Sequence, residues 1–234
     1  MALKSRLGGH TNTYHTYTLE EALEGIAEAG YRFVELTAVR GWTEHVPLDA
    51  DAKTLGGIQR LMNRFGLVAI SLSGHSDLTT KDGLRLGLKA LDLCERMGID
   101  IMNTAIGGHY SEEEDEEAFM GNIHELADHA AARDIRLGIE IHGEITKSGK
   151  AAIQVLERIG RNNVLINYDT GNVEFYSGVK AVDTCRWRCR NLFTATSRTS
   201  AAKAASGTSR RSAKATLTSN ACSTLWRKAA SPDR

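Results

Sequence analysis

A chain of 234 residues that is 41 % hydrophobic and 25 % charged is long enough for one large α/β domain with a real core, and its composition is that of a soluble globular protein. No apolar run approaches the length of a membrane helix, the start MALKSRLGGH lacks the apolar centre of a secretory signal, and four irregularly spaced cysteines make no disulfide framework, so a cytoplasmic protein without a membrane partner is expected. The formal net charge of zero hides a split: residues 1–184 hold 18 Lys+Arg and 28 Asp+Glu, whereas residues 185–234 hold 11 Lys+Arg and the single acid Asp233.

Taken in order, Leu3 to Thr13 reads as a first strand that ends in Gly8, Gly9 and His10. Thr18 and Glu21 form a capping box that opens a helix with an apolar stripe of Leu19, Ala22, Leu23, Ile26 and Ala27, stopped by Gly30. Tyr31 to Val39 alternates as a strand with Phe33, Glu35 and Thr37 on one face. A helix over Ala52 to Phe65 follows, then a buried strand over Leu67 to Ser73 with Gly74 and His75 after it. Thr80 to Met97 is predicted helical, and Ile99 to Ile106 is the next strand, followed by His109. The acidic run Glu112 to Glu117 suits the first turns of a helix that reaches Ala132, because negative charge is stabilised at a helix N-terminus.

The stretch from Ile135 to Asn172 carries the most chemistry. IRLGIEIHG and VLINYDTGN are two short apolar runs joined by one helix, a βαβ unit. Alternation puts Gly138, Glu140 and His142 on one face of the first strand, and Asn167 with Asp169 on one face of the second. Parallel strands bring Glu140 and Asp169 to the same edge of the sheet. Two carboxylates beside an imidazole are hard donors for a divalent cation. Strand and helix alternate six times at about 30 residues per unit, a period proper to βα repeats. The polar residues at strand ends (His10, Glu35, His75, Asn103, Glu140, His142, Asp169) would scatter in an open sheet but converge in a closed barrel. The expected fold is therefore an incomplete (β/α)8 barrel of six units over 1–184, with strands seven and eight replaced by a disordered basic tail over 185–234.

SLSGH, GIEIHGE and NYDTGNVEFYSG resemble the xylose isomerase-like TIM barrels, the sugar phosphate isomerase/epimerase group, and the resemblance covers roughly residues 5–180. It implies an eight-stranded βα barrel that acts on a small sugar or polyol. It also implies one divalent cation (Mn, Mg or Co) held by a Glu, an Asp, a His and a second Glu from strands five to eight. Glu140 matches the first Glu and Asp169 the Asp. Asn172 stands where many members carry a substrate-contacting His. Glu140 is then both a ligand and a catalytic base, while His10, His75, His142 and Asn172 are the expected substrate contacts. Related dehydratases of keto-inositols share such a site.

The third and fourth ligands should follow in segments like HLKD and GEG, but the tail contains no His and no Glu. A reading one base out of register accounts for this. Codons for Thr196 to Thr199 allow Leu-Lys-Asp, and those for Thr208 to Asn220 allow a stretch containing Gly-Glu-Gly. The break falls near Asp183 or Thr184, and Cys185-x3-Cys189 is then an accident of frame rather than a metal motif. Such a chain should leave the edges of strands one and six exposed, self-associate through them, bind metal weakly and turn over little. The plainer alternative for the tail is a disordered basic segment.

Each site residue has a structural reading as well. Glu140 could pair with Arg136, His10 and His75 could be structural strand-end residues, and His142 could act only by hydrogen bonding. Glu35 is a weaker candidate, and His124 and His129 are expected on a helix surface. Two other functions compete: an abasic-site endonuclease-like metal hydrolase, disfavoured by the −10 charge of residues 1–184, and a non-enzymatic basic-tailed protein.

Overall fold

Side-chain oxygens cap the helices where the sequence offers them. In the computed structural model, which describes residues 7–107, 113–143, 145–181 and 192–196, the Thr18 hydroxyl and the Glu21 carboxylate cap each other's backbone N–H groups at the start of α1 (Leu19–Glu28). Asp51 accepts from Thr54 at the start of α2 (Ala52–Arg64), and Thr80 from Gly83 at the start of α3 (Lys81–Met97). Ser148 caps α5 (Gly149–Ile159) in the same way, after α4 (Glu113–Ala131). Each such cap contributes about 1 kcal/mol. Gly98 and Gly160, at φ 67° and 59°, end α3 and α5 in the left-handed region that a side chain disfavours.

Between the helices run β1 (Gly8–His10), β2 (Phe33–Thr37), β3 (Val68–Ser73), β4 (Ile101–Thr104), β5 (Arg136–Glu140), β6 (Val164–Asp169) and β7 (Leu192–Thr196). They form one parallel sheet in sequential order, so every strand ends on the same side. The outward side chains Leu36, Leu72, Met102 and Leu137 are fully buried in one cluster with Leu23, Leu91, Leu93, Phe119, Ile123 and Leu126 of the helices. Burial of each contributes about 1.5–3 kcal/mol. Cys94 lies in this cluster, where burial pushes its thiol pKa up and leaves it unreactive. Among the described residues no helix is long and apolar enough to cross a membrane.

The inner face of the sheet differs from a filled barrel interior. Between Val34 and Glu35 the register slips by one, so that Ile70 of β3 has no counterpart on β2. Ile70 approaches to 3.4 Å the position a Cβ on Gly8 would take, which turns it to the same inner side as Ser71. Ile70 is nonetheless 36 % exposed and Val68 47 %. The expectation of a wholly buried third strand fails at these two residues, which the other described residues leave partly uncovered. Among the described residues β1 pairs only with β2 and β7 only with β6.

Further differences from the sequence reading have local causes. The first strand is three residues long and gives way at once to a 3-10 turn, Thr11–Tyr14. A helix the periodicity did not indicate, α6 (Thr170–Ser177), follows β6, capped by the Asp169 side chain. β7 adds a seventh strand inside the segment expected to be disordered, so among the described residues the outermost strands are β1 and β7 rather than strands one and six. The expectations for His109, for Cys185 and Cys189, and for the tail outside Leu192–Thr196 lie outside the described residues.

Candidate active site

Glu140 ends β5 and Asp169 ends β6, on paired neighbours whose register sets Glu140 opposite Asn167. Asn172, in the first turn of α6, links the two carboxylates. Its backbone N–H donates to Asp169 Oδ1 at 3.0 Å, and its side-chain amide donates to Glu140 Oε1 at 3.0 Å and to the Ile141 carbonyl at 2.8 Å. Gly171 N–H also donates to Asp169 Oδ1, at 2.8 Å. Asp169 therefore has a structural duty as the N-cap of α6, and it sits where the positive end of the helix favours its charge. Asn172 spends both amide hydrogens within the protein, which makes it a holder of Glu140.

His75, two residues beyond β3, reaches across to β5. Its Nε2 lies 3.0 Å from Glu140 Oε2 and its Nδ1 2.8 Å from Ser73 Oγ. An ionised carboxylate only accepts, so Nε2 carries the proton. In the neutral ring Nδ1 then accepts, and Ser73 donates its hydroxyl. Asn167 Nδ2 stands 3.5 Å from the same Glu140 oxygen.

A second carboxylate–imidazole pair stands beside the first. Glu35 on β2 accepts from Ser71 Oγ at 2.5 Å and from Asn103 Nδ2 at 2.6 Å, and its other oxygen is 3.3 Å from His10 Nε2. Thr37 Oγ1 is also 3.3 Å from His10 Nε2. Ser71 and Ser73 lie two residues apart on β3, about 7 Å along a strand, so β3 carries one contact of each pair. In both pairs the imidazole is the more exposed partner: His10 26 % against Glu35 15 %, His75 24 % against Glu140 8 %. The ring edges face the open cup and the carboxylates lie beneath.

The structure thus joins His75, Asn172 and Asp169 to Glu140, and His10 to Glu35. His142 lies after β5 against α6, with Nε2 3.3 Å from the Tyr176 hydroxyl and the two rings edge to face at 5.4 Å. Arg136 reaches Asp100 at 2.6 Å. His124 is half-buried and bonded to the Ile159 carbonyl at 3.1 Å rather than freely exposed, whereas His129 is exposed. The sequence reading missed the supports Ser71, Ser73 and Asn167 and undervalued Glu35. The signal available was their shared parity with Glu35, Asn103 and Glu140, hidden in β3 by the register slip at Ile70.

As a metal site the described residues are incomplete. Glu140 and Asp169 offer oxygen donors of the right kind. Yet both Glu140 oxygens accept side-chain hydrogen bonds, and one Asp169 oxygen accepts two backbone N–H groups. Among the described residues no group of three or more His, Cys, Asp or Glu side chains is placed to hold an ion. These residues alone do not fit a closed metal centre.

A family model described as xylose isomerase-like TIM barrel matches residues 23–195. An L-ribulose 3-epimerase from Methylomonas sp. (strain DH-1) is 25 % identical over an alignment of 195 positions that covers 73 % of this chain and 65 % of that protein. The chain thus spans just under two thirds of that relative's length. A D-allulose 3-epimerase from Methylomonas sp., solved in complex with D-allulose, superposes with a TM-score of 0.66 at 21 % identity, covering 81 % of this chain and 70 % of that one. A probable 3-DHS dehydratase from Bacillus anthracis gives a TM-score of 0.65 at 13 % identity, covering 81 % and 72 %. These likenesses to solved structures establish the fold.

Proposed function

The chain belongs to the xylose isomerase-like TIM barrel family, and from that premise we propose that it is built for proton transfer at a carbon next to the carbonyl of a small sugar or polyol, as an epimerase or isomerase. The observation that carries this reading is Glu140, a carboxylate at the mouth of the sheet held on both oxygens by His75 and Asn172. A carboxylate so fixed is a general base of defined direction. It takes the proton from carbon, and the electron pair moves toward the carbonyl oxygen to give an enolate. The 3-epimerase relative supports a ketose as substrate. Incubation with D-allulose, the sugar in the Methylomonas complex, should yield its 3-epimer slowly at high protein concentration. Absence of any epimer of D-allulose or of another ketose would overturn the proposal.

Low turnover and weak metal binding belong to the same reading. Glu140 and Asp169 would be the metal's contacts, and a bound divalent ion would polarise the substrate carbonyl. With two side-chain ligands and no closed set, the expected dissociation constant for Mn or Mg is about 10⁻⁴–10⁻³ M, in the range of weak oxygen-ligand sites. Isothermal titration calorimetry reads this directly, and a tight single site would contradict it. We propose further that residues beyond about 184 derive from an out-of-register reading of the family's last strands, which sequencing of the coding DNA around codon 183 tests.

The exposed Val68 and Ile70, together with the edges that β1 and β7 present among the described residues, support self-association. Small-angle scattering across a dilution series should show a mass above that of the 25.5 kDa chain. A compact monomer at all concentrations would contradict this.

A further inference from the structure

Trp42 is 61 % exposed, yet its ring is held on every side that the protein touches. The His15 imidazole lies nearly parallel to the indole, with 3.9 Å between centroids and 16° between planes. The indole N–H donates to Asn12 Oδ1 at 3.0 Å, and the Thr43 hydroxyl donates to the same oxygen at 2.6 Å. With its hydrogen used there, Thr43 Oγ1 accepts from His15 Nδ1 at 2.6 Å. Four side chains thus close a ring of contacts that sets the plane of the indole. Thr43 is 1 % exposed, so the ring is anchored in the fold rather than floating on the surface. His15 covers one indole face, and the exposure falls on the opposite face and the outer edge.

The platform stands at the rim of the cup. Asn12 and His15 follow β1, and Trp42 and Thr43 follow β2. Beyond β2 the chain makes a narrow loop: Ala38 bridges Glu44, Val39 N–H donates to the Thr43 carbonyl at 3.0 Å, and Trp42 N–H donates to the Val39 carbonyl at 3.2 Å. Gly41, at φ 79°, supplies the left-handed residue this turn requires. At the base of the loop Thr37 Oγ1 meets Thr11 Oγ1 at 2.9 Å and His10 Nε2 at 3.3 Å. The loop therefore rises beside the His10–Glu35 pair, on the edge of the sheet where Glu140 and Asp169 also end their strands. Its other exposed side chains are polar, Arg40 and Glu44, paired with each other at 3.3 Å. One aromatic face among polar groups is far smaller than the roughly 1,000 Å² of a stable protein interface. It suits a small ring that is apolar on one face and hydroxylated at its edge, which describes a pyranose.

Resting on the sugar reading above, we infer that Trp42, backed by His15, is a rim subsite that stacks on a pyranose ring joined to the reacting ketose. The preferred substrate is then a glycosylated ketose rather than a free monosaccharide. The reacting sugar lies among the strand-end side chains, and its glycosyl unit rests on the loop tip. Because the indole is fixed before the ligand arrives, stacking orders little of the protein. His15, Asn12 and Thr43 are positioning residues that act through Trp42.

The probes are isomaltulose, a D-fructose with a glucosyl unit on carbon 6, and D-fructose itself, the 3-epimer of D-allulose. Dissociation constants are read by ligand-observed NMR titration of the full chain. Isomaltulose should bind wild type at least about fivefold tighter than D-fructose, the range of one aromatic stacking contact. Trp42→Ala should bring the ratio of the two affinities to about one, and Trp42→Phe, which still offers a ring, should keep most of it. Equal affinities in wild type would overturn the inference. So would a Trp42→Ala variant that keeps the ratio, or one that weakens both sugars alike at an unchanged melting temperature. A variant that keeps the ratio but falls to a lower mass in light scattering would assign Trp42 to a contact between copies, and overturns it too. Methyl α-D-glucopyranoside separates the two readings. Its binding to wild type and not to Trp42→Ala, with no binding of D-fructose, would keep the rim subsite and sink the ketose reading. A wild-type chain that binds none of the three sugars sinks both.

Discussion

Glu140→Gln should reduce turnover of a ketose by about a thousandfold, within the range of a lost general base, while substrate binding changes only a fewfold. Glutamine keeps the shape of the side chain and can still accept from Asn172, but it cannot take a proton from carbon. Steady-state kinetics checks this as a fall in kcat at nearly constant KM. Glu140→Ala is expected to behave differently. It removes the acceptor of the His75 and Asn172 hydrogen bonds and leaves those donors in a site where Glu140 itself is only 6 % exposed. Each unsatisfied group costs about 1–3 kcal/mol, so the alanine variant should also melt at lower temperature. Equal activity of Glu140→Gln and wild type would show that chemistry occurs elsewhere.

Gly138→Ala should damage the same site from below. A Cβ on Gly138 would fall 2.2 Å from Asn103 Oδ1 and 3.3 Å from Asn167 Cβ. Asn103 is fully buried and its amide holds Glu35 at 2.6 Å, so it has no open space to retreat into. Overpacking of this kind costs about 1–3 kcal/mol, which for a chain of this size lowers the melting temperature by about 2–4 °C per kcal/mol. Displacing Asn103 also loosens Glu35 and, through it, His10. A calorimetric melt and an epimerisation assay should therefore fall together, and an alanine variant with wild-type stability would mean that Asn103 is freer than the packing indicates.

The sequence was most legible where one physical rule dominates. The capping box of Thr18 and Glu21, with Gly30 after the last turn, located α1 to within a residue or two, because such a cap is a local hydrogen bond with few alternatives. Strand alternation placed Glu140 and Asp169 at a common edge for the same reason. α6 escaped notice because Thr170–Ser177 has no apolar stripe; it is started by the cap that Asp169 provides and stopped at Gly178. The partnerships within the cup escaped too. Which imidazole meets which carboxylate depends on curvature across several strands, so nothing near His75 in the chain reveals that it bonds Glu140, 65 positions away. The slip at Ile70 broke the alternation that would have grouped Ser71 with Glu35. Val68 and Ile70 read as core because apolar strand residues usually find a cover, and among the described residues they are left 47 % and 36 % exposed.

The most direct measurement is deuterium incorporation from D2O at carbon 3 of D-allulose, followed by NMR for wild-type protein and Glu140→Gln side by side. Incorporation by the wild type that drops to the protein-free background in the variant is the predicted result. Incorporation at equal rates in both, or in neither, would contradict the assignment of Glu140 as the base.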